Sequence, residues 1–249
     1  LPLHRGPRVP FARKTVAGPS IMKPLLDAAL VRTLRGVIRR HKIDIVCAHN
    51  YEALMVALAA RKRPVVYLAH NAMSDELPYY FRQKVAAERV GRWLDRTFPN
   101  RADLVVVPHR RLAGHLAVRG CEPEKLLVVP PPLDASLFYP CEVGEALPPV
   151  LYAGNLDAYQ NLGLLYAAMR LLRLRVPEAR LQIATAVQGA HIEGAEIINT
   201  LGFDALQRTL AQDSVFAVPR VSWSGFPIKL LNAMAAGKAI VACESAAYP

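Results

Sequence analysis

The sequence has little of what small secreted or metal-stapled domains need. Its 249 residues include four scattered cysteines, Cys47, Cys121, Cys141 and Cys243, and no Cys-x-x-Cys pair. We therefore expect small buried apolar side chains there, and neither a disulfide framework nor a zinc site. No Asp-x-Asp pair or cluster of histidines and acids appears, so we expect no bound metal. No apolar run approaches the roughly 20 residues that span a bilayer, and no secretory signal is visible.

Acidic residues are outnumbered by basic residues in only one half of the chain. Residues 1–140 hold 23 lysines and arginines against 11 acids, whereas residues 141–249 hold 8 against 9. Such an excess suits an anionic partner: a membrane surface, an acidic polymer or nucleic acid. Nucleic acid is the weakest of the three, because no binding module and no interleaving of aromatic and basic residues is visible. A solvated, arginine-rich surface without a partner explains the excess equally well.

The pattern of apolar residues predicts an α/β protein with two domains. Hydrophobic residues make up 53% of the chain and charged residues 20%, which is typical of an intracellular globular protein with two cores. Short β-branched runs alternate with helical segments, and this pattern favours parallel sheets buried on both faces. We predict a first domain over 1–140, irregular over 1–20, and a second over 141–249. Predicted strands are 43–48, 64–69, 103–107, 126–129, 150–154, 180–185, 195–199, 214–218 and 239–242; predicted helices are 21–41, 51–61, 80–97, 110–119, 160–175, 203–212 and 226–236.

Two of the predicted helices have features that bear on binding. The basic helix over 21–42 would either lie on anionic lipid or pack its apolar stripe against its own sheet. The helix over 226–236 follows a strand and Gly225, and Gly237 ends it. A glycine-led helix start offers free N–H groups and the positive dipole end to a phosphate, although a glycine that only makes the turn explains the pattern equally. We expect its apolar positions to be buried, namely Phe226, Ile228, Leu230, Leu231 and Met234.

The segment Ser224-Gly-Phe-Pro-Ile-Lys-Leu-Leu-Asn232-Ala-Met-Ala-Ala-Gly237 resembles a known motif. It is similar to the donor-binding motif of the retaining GT-B glycosyltransferases of family 4, which runs Glu-Gly-Phe-Gly-Leu-Pro-Leu-Leu-Glu-Ala-Met-Ala-x-Gly. The likeness extends from about Asp44 to Ala242. It implies two Rossmann-like, doubly wound parallel-sheet domains that face a cleft. Measured against the family pattern, the first strands would precede Leu1 and the final segment would follow Pro249, so we expect a chain truncated at both ends.

The resemblance also implies the residues of the site. A histidine at the place of His70 lies beside the transferred sugar in the family, so His70 is the predicted catalytic residue. Asn155 and Gln160 stand where the family has an arginine and a lysine on the donor diphosphate; Ser224 and Asn232 stand where it has two glutamates, on the sugar and the ribose. Lys229 would supply a compensating positive charge, or is only an exposed helix lysine. The predicted donor-binding residues are Gly154, Asn155, Gln160, Ser224, Gly225, Phe226, Pro227, Ile228, Lys229 and Asn232.

The implied activity is transfer of a hexosyl group from a nucleoside-diphosphate sugar to an acceptor, with retention of anomeric configuration. No cofactor and no metal are expected, the acceptor being a cell-envelope glycan or a lipid-linked molecule. Amides around Gly225–Pro227 would stabilise the diphosphate, and the base would lie near Leu201-Gly202. Asp75, Glu76, Tyr79 and Tyr80 would face the acceptor. We expect a cytoplasmic protein, peripheral at the inner face of the membrane. An inactive GT-B-like scaffold and a sugar-nucleotide epimerase stay open as alternatives.

Overall fold

Two all-parallel sheets organise the part of the chain that the computed structural model describes, namely residue 20 and residues 22–60, 63–141, 143–144 and 146–247. The predictions for residues 1–19 and for Arg61 lie outside the described residues. The strands are β1 (Val46–His49), β2 (Val65–Leu68), β3 (Leu104–Val107), β4 (Leu126–Val128), β5 (Val150–Ala153), β6 (Leu181–Thr185), β7 (Glu196–Asn199), β8 (Val215–Val218) and β9 (Ala239–Ala242). The helices are α1 (Lys23–His41), α2 (Asn50–Ala60), α3 (Met73–Glu76), α4 (Lys84–Thr97), α5 (Arg110–Ala117), α6 (Leu162–Arg173), α7 (Phe203–Ala211), α8 (Ile228–Ala235) and α9 (Glu244–Ala247).

The two sheets differ in their strand order. The first has the order β1-β2-β3-β4, and the second has the order β7-β6-β5-β8-β9. In the second sheet the chain starts at the central β5, moves outward to β6 and β7, and returns to β8 on the other side of β5. This reversal creates a topological switch point between β5 and β8. Ligands of open α/β sheets bind at such points, outside the carboxyl ends of the strands.

The chain divides into two compact units. The first comprises Leu1–Pro130 together with Ser224–Phe226, and the second comprises Pro131–Trp223 together with Pro227–Pro249. The boundary after Pro130 lies ten residues before the one predicted from sequence. Three residues of the donor-binding motif thus group with the first unit, while the rest of the motif groups with the second.

The second sheet is buried on both faces, which explains its parallel strands. On one face Leu151 and Ala153 of β5 pack with Phe216 and with Ala233 of α8. On the other face Tyr152 packs with a cluster that includes Ile183, Leu165 and Met169. Successive residues of a strand point to opposite faces, so the two clusters share β5 between them.

Helix α8 starts later and buries a different face than the sequence predicts. It begins at Ile228, with Pro227 before it, and its Leu230 N–H donates to the Pro227 carbonyl at 2.8 Å. Ile228 and Met234 are 47% and 59% exposed, so the prediction that both are buried is wrong. The helix packs on β8 and β9 through small residues, Ala233 and Ala236, with Leu230 beside them. Small side chains let the helix lie close to the sheet, and its larger apolar residues then fall outside the contact.

Among the described residues, no helix is long and apolar enough to cross a membrane. All four cysteines are free, and Cys47 is exposed, contrary to the prediction that the cysteines are buried. Helix α1 buries Ile38 but leaves Leu25 and Leu30 exposed, so only part of its apolar stripe packs inside the first unit.

Candidate functional site

A cavity of about 540 Å³ lies at the switch point of the second sheet. Its size is within the range of about 300–1,000 Å³ that is typical of small-molecule sites. The residues that line it come from the ends of β5 and β6, the segment before α7, α7 itself, β8 and α8: Ala153, Gly154, Asn155, Thr185, Ala186, Val187, Thr200, Gly202, Phe203, Leu206, Leu210, Phe216, Lys229 and Asn232. Four predicted donor-binding residues therefore meet in one cavity, namely Gly154, Asn155, Lys229 and Asn232. Gly202, which was predicted beside the base, also lines it.

Gly154 and Lys229 lie against each other at one end of this cavity. Gly154 has φ +146°, a conformation that L side chains rarely adopt. A Cβ atom added to Gly154 would clash with the end of the Lys229 side chain. The absence of a side chain at position 154 thus makes room for the Lys229 ammonium next to the backbone that follows β5.

The surroundings of Lys229 make its side-chain amine less basic than that of an ordinary lysine. Its Nζ donates to the Tyr152 hydroxyl at 2.8 Å and lies 4.7 Å from the centroid of that ring. Burial first, and then the positive charge of Arg220, lower the pKa of Lys229, the negative charge of Asp157 raises it, and the net pKa is about 7. The Tyr152 hydroxyl donates in turn to the Asn155 carbonyl at 2.5 Å, and burial raises its pKa, so it stays protonated.

Asn155 faces the cavity within a network of side chains that fixes its orientation. The Gln160 amide donates to Asn155 Oδ1 at 2.6 Å, and Asn155 Nδ2 donates to Asp157 Oδ2 at 2.5 Å and to the Tyr159 hydroxyl at 3.1 Å. Gln160 is buried and is not among the residues that line the cavity. Gln160 therefore contacts Asn155, and the direct contact with the donor that the sequence predicts stays a prediction.

The remaining motif residues are placed differently. Ser224 is fully buried, and its N–H and hydroxyl both donate to Asp75 Oδ2, at 3.0 and 2.8 Å. The Nδ1 atom of His109 accepts from the Leu112 N–H, so Nε2 carries the proton and donates to the Ser224 carbonyl at 3.0 Å. The ring of Phe226 lies 6.3 Å from that of His109. Within the first unit, Ser224 is therefore held at its N–H, hydroxyl and carbonyl groups.

Neither Asp75 nor His109 was predicted to hold Ser224. The predicted role of Asp75 was to face the acceptor, and His109 drew no prediction. The sequence signal for His109 is its place before α5, where its side chain caps the helix by accepting from Leu112. Nothing in the sequence indicates that these two residues, more than 100 positions away, bind Ser224.

His70 lies two residues beyond β2 and pairs with His49, which directly precedes α2. The two rings stack with centroids 5.5 Å apart, and His49 Nδ1 is 3.3 Å from His70 Nε2. Partial burial, with His49 adding to it, lowers the pKa of His70. At pH 7 the His70 imidazole is therefore neutral and able to donate one hydrogen bond and accept another.

A second cavity, of about 530 Å³, includes His70 in its lining and lies within the first unit. Its polar lining includes Asn71, Glu76 and Tyr80, and its apolar lining includes Met55 and Leu77. Two of the residues predicted to face the acceptor, Glu76 and Tyr80, are thus in this cavity, whereas Tyr79 is not among the residues that line it. Glu76 belongs to the short helix α3, which is not among the helices predicted from the sequence.

The described residues contain no group of three histidines, cysteines or acids that could hold a metal ion. The second cavity offers a mixture of hydroxyl, amide and carboxylate groups, which suits a polyol. The first cavity combines a basic end at Lys229 with an apolar end at Val187 and Phe203, which suits a phosphate ester with a flat ring system.

Comparison with known proteins relates both halves of the chain to glycosyltransferases. The family model described as Glycosyltransferase Family 4 matches residues 3–137, and the model described as Glycosyl transferases group 1 matches residues 148–249. A curated relative is the D-inositol 3-phosphate glycosyltransferase of Actinosynnema mirum, 29% identical over 205 residues. The match covers 71% of this chain and 48% of the relative, so the chain spans about half the relative's length.

Solved structures with the same fold include the sucrose-phosphate synthase of Thermosynechococcus elongatus. Its TM-score is 0.72 at 15% sequence identity, and the match covers 89% of this chain and 61% of that one. A structure of Anabaena HepE in complex with UDP-glucose has a TM-score of 0.64 at 20% identity, covering 90% and 65%. These likenesses confirm the predicted α/β fold of the GT-B type. The first family model covers more than half of the 249 residues of this chain, and the chain therefore belongs to glycosyltransferase family 4.

Proposed function

We propose that this protein is a glycosyltransferase that transfers a hexosyl group from a nucleoside-diphosphate sugar to an acceptor, with retention of configuration. The observation that carries the proposal is the cavity at the switch point, where Lys229, Gly154 and Asn232 meet. The family supports sugar transfer as the reaction. The UDP-glucose bound by HepE supports a nucleotide sugar as the ligand.

Each end of the cavity suits one part of such a donor. The diphosphate would bind beside the Lys229 side chain and the N–H groups of Ile228 and Lys229 at the start of α8, whereas the Leu230 N–H already donates to the Pro227 carbonyl. Asn232 lies one turn further along α8 and would hydrogen-bond the ribose hydroxyls. The apolar side chains of Val187 and Phe203 would contact the base. No metal and no cofactor enters this proposal, because Lys229 and the helix dipole offset the phosphate charge.

The proposed reaction breaks the bond between the anomeric carbon and the diphosphate oxygen. The acceptor oxygen forms its new bond on the same face of the sugar, and the acceptor proton passes to the departing diphosphate. The described residues that line the cavity at the switch point include no carboxylate. A diphosphate oxygen is therefore the proposed base. The positive charge at Lys229 would stabilise the negative charge that develops on the leaving group.

For the first unit we propose an acceptor-side role. His70, Asn71 and Glu76 line a cavity whose hydrogen-bonding groups suit the hydroxyls of a glycan or a lipid-linked sugar. Neutral His70 would bind one such hydroxyl, and in this sense it stays the proposed catalytic residue.

We also propose that the acceptor is met at an anionic membrane surface. Helix α4 exposes Trp93 to 57%, Val85 to 62% and Val90 to 51%. Between them stand the exposed Arg89, Arg92 and Arg96, and Glu88 is the one acid on this side of the helix that is not buried. We call this set of α4 side chains the α4 outer surface. Exposed tryptophan and arginine together are typical of helices that lie in a lipid interface.

Calorimetry with UDP-glucose and with GDP-mannose tests the donor proposal. We expect one of them to bind, and Asn232→Ala to weaken that binding severalfold, because one hydrogen bond to the ligand is lost. Met234→Ala is the matched control, since Met234 is exposed on the same helix. If no nucleotide sugar binds, an inactive scaffold replaces the proposed enzyme. Interconversion of the sugar without an acceptor would instead favour an epimerase.

A further inference from the structure

Arg220 is a cation close enough to Lys229 for its charge to act on that group, although neither the motif nor the cavity lining includes it. It follows β8 by two residues, and its guanidinium carbon lies 5.2 Å from the centroid of the Tyr159 ring. Its Nη2 donates to the Ser222 hydroxyl at 3.0 Å. Its Nε is buried and has no hydrogen-bond partner among the described residues. A buried N–H without an acceptor is unfavourable, and native structures satisfy almost all such groups.

Arg220 and Lys229 act on each other through their charges. The charge of Arg220 lowers the pKa of Lys229, so the two groups repel each other. Neither forms an ion pair within 4.0 Å with a carboxylate of the described chain. The nearby acid, Asp157, already accepts a hydrogen bond from Asn155.

The other groups around Lys229 compensate this repulsion only in part. They are the Tyr152 hydroxyl of β5, the backbone of Gly154, and Asp157 in the loop after β5. Tyr152 stays protonated and therefore brings no negative charge. Two cations with one unsatisfied N–H and a single acid between them favour an anion with several acceptor oxygens.

On the basis of the function proposed above, we propose that Arg220 and Lys229 together bind the donor diphosphate. Binding of the diphosphate is then accompanied by uptake of a proton, which Lys229 Nζ holds. The family pattern has an arginine and a lysine at the positions of Asn155 and Gln160, and Arg220 would supply positive charge in their place. The pair lies on the β8–α8 side of the switch point, whereas Asn155 and Gln160 lie on the β5 side.

The proton follows from the sign of the electrostatic change. In the free protein the pKa of Lys229 is about 7, so the amine is half charged at neutral pH. A bound diphosphate favours the charged form and raises that pKa. Binding at pH 7 therefore takes up about half a proton, and the affinity falls about tenfold between pH 6 and pH 8.

Calorimetric titration with UDP-glucose, and with GDP-mannose as the alternative donor, tests the inference. The diphosphate of a nucleotide sugar is a diester and does not titrate between pH 6 and pH 8, so any proton belongs to the protein. Titrations at pH 6, 7 and 8, in buffers that differ in ionisation enthalpy, give both the affinity and the number of protons taken up. We expect the tenfold loss and the half-proton uptake in the wild-type protein.

Variants separate the two cations. Lys229→Met keeps the apolar stem, and we expect it to abolish both the proton uptake and the pH dependence. Arg220→Gln removes the charge, and we expect binding at pH 6 to weaken about tenfold, because charge-assisted hydrogen bonds to phosphate are lost. Arg220→Lys should restore most of that affinity, which a defect in folding would not allow. Arg175→Gln is the control, since Arg175 is exposed at the end of α6.

The outcomes distinguish this inference from the proposed function. Binding that is independent of pH, or unchanged in Arg220→Gln, overturns the cation pair and leaves the donor site standing. Absence of binding by both nucleotide sugars at every pH overturns the proposed function itself.

Discussion

Position 154 shows how a single residue controls the donor cavity. Its φ of +146° and its closeness to the Lys229 side chain both require glycine. Gly154→Ala should lower the free energy of unfolding by about 1–3 kcal/mol, because alanine is strained in this conformation. It should also weaken nucleotide-sugar binding, because the new methyl group displaces the Lys229 ammonium. Chemical denaturation and calorimetry measure the two effects.

Gly163→Ala is the control for that substitution. Gly163 lies in the first turn of α6 with no atom within 4 Å of a built Cβ, and its φ is ordinary. We expect this variant to be neutral or slightly more stable, by up to about 1 kcal/mol. A Gly154→Ala protein that is as stable as Gly163→Ala would contradict the account of residue 154.

The sequence predicts some residues of the site better than others. Lys229 and Asn232 belong to the Ser224–Gly237 motif, Gly154 comes from the same resemblance, and all three line one cavity. Arg220 is outside the motif, and only its three-dimensional neighbours distinguish it from any other surface arginine. Ser224 shows the opposite case, because its partners Asp75 and His109 come from distant parts of the chain.

Hydrogen bonds to a buried carboxylate connect helices α3 and α4. Asp95 of α4 is 2% exposed and accepts from the Met73 and Ser74 N–H groups, at 2.8 and 3.1 Å. It also accepts from the Ser74 hydroxyl at 2.7 Å, and His115 Nε2 lies 3.1 Å from it. Gly91 allows the close approach, because a Cβ there would clash with the backbone of Met73 and Ser74. Asp95 thus satisfies the free amides at the start of α3.

Replacing Asp95 with alanine should therefore destabilise the first unit. We expect a loss of about 3–5 kcal/mol in the free energy of unfolding, because several buried donors lose their acceptor at once. Glu88→Ala is the control on the same helix, since the Glu88–Arg92 pair is exposed at 3.7 Å and should contribute less than about 0.5 kcal/mol. Equal stabilities of the two variants in urea would refute the role of Asp95.

At the level of elements, the sequence predicts the long ones well. The alternation of β-branched runs and helical segments predicts the nine described strands, although the edge strands β7 and β9 are only partly buried. The four-residue α3 was not predicted, since its start depends on the carboxylate of Asp95, 22 positions after Met73. The start of α8 was placed two residues too early, because the glycine signal marks a bend at Gly225 that the helix follows only after Pro227.

At the scale of the whole molecule, the uneven charge has a measurable consequence. The net charge is +11, and the excess of basic residues belongs to residues 1–140. We expect the protein to co-sediment with vesicles that contain phosphatidylglycerol, and the bound fraction to fall as salt rises from 0.05 to 0.5 M, about a threefold shorter screening length. Trp93→Ser, on the α4 outer surface, should reduce the bound fraction severalfold, because the side chain no longer enters the interface.

The control for this experiment is an exposed apolar residue of the second unit. Leu174 is 81% exposed at the end of α6, and Leu174→Ser should bind the vesicles like the wild-type protein. Equal binding to vesicles of phosphatidylcholine alone, or no binding to either kind, would rule out the electrostatic membrane surface.

A lysine with a pKa near 7 has a chemical property that ordinary lysines lack. At neutral pH a large share of its amine is uncharged and nucleophilic, whereas lysines with the usual pKa near 10.4 are almost wholly protonated. An activated ester attached to a nucleoside would therefore acylate Lys229 selectively, and a sulfonyl fluoride would sulfonylate it. The burial that lowers the pKa of Lys229 thus also makes this cavity suitable for covalent inhibitors.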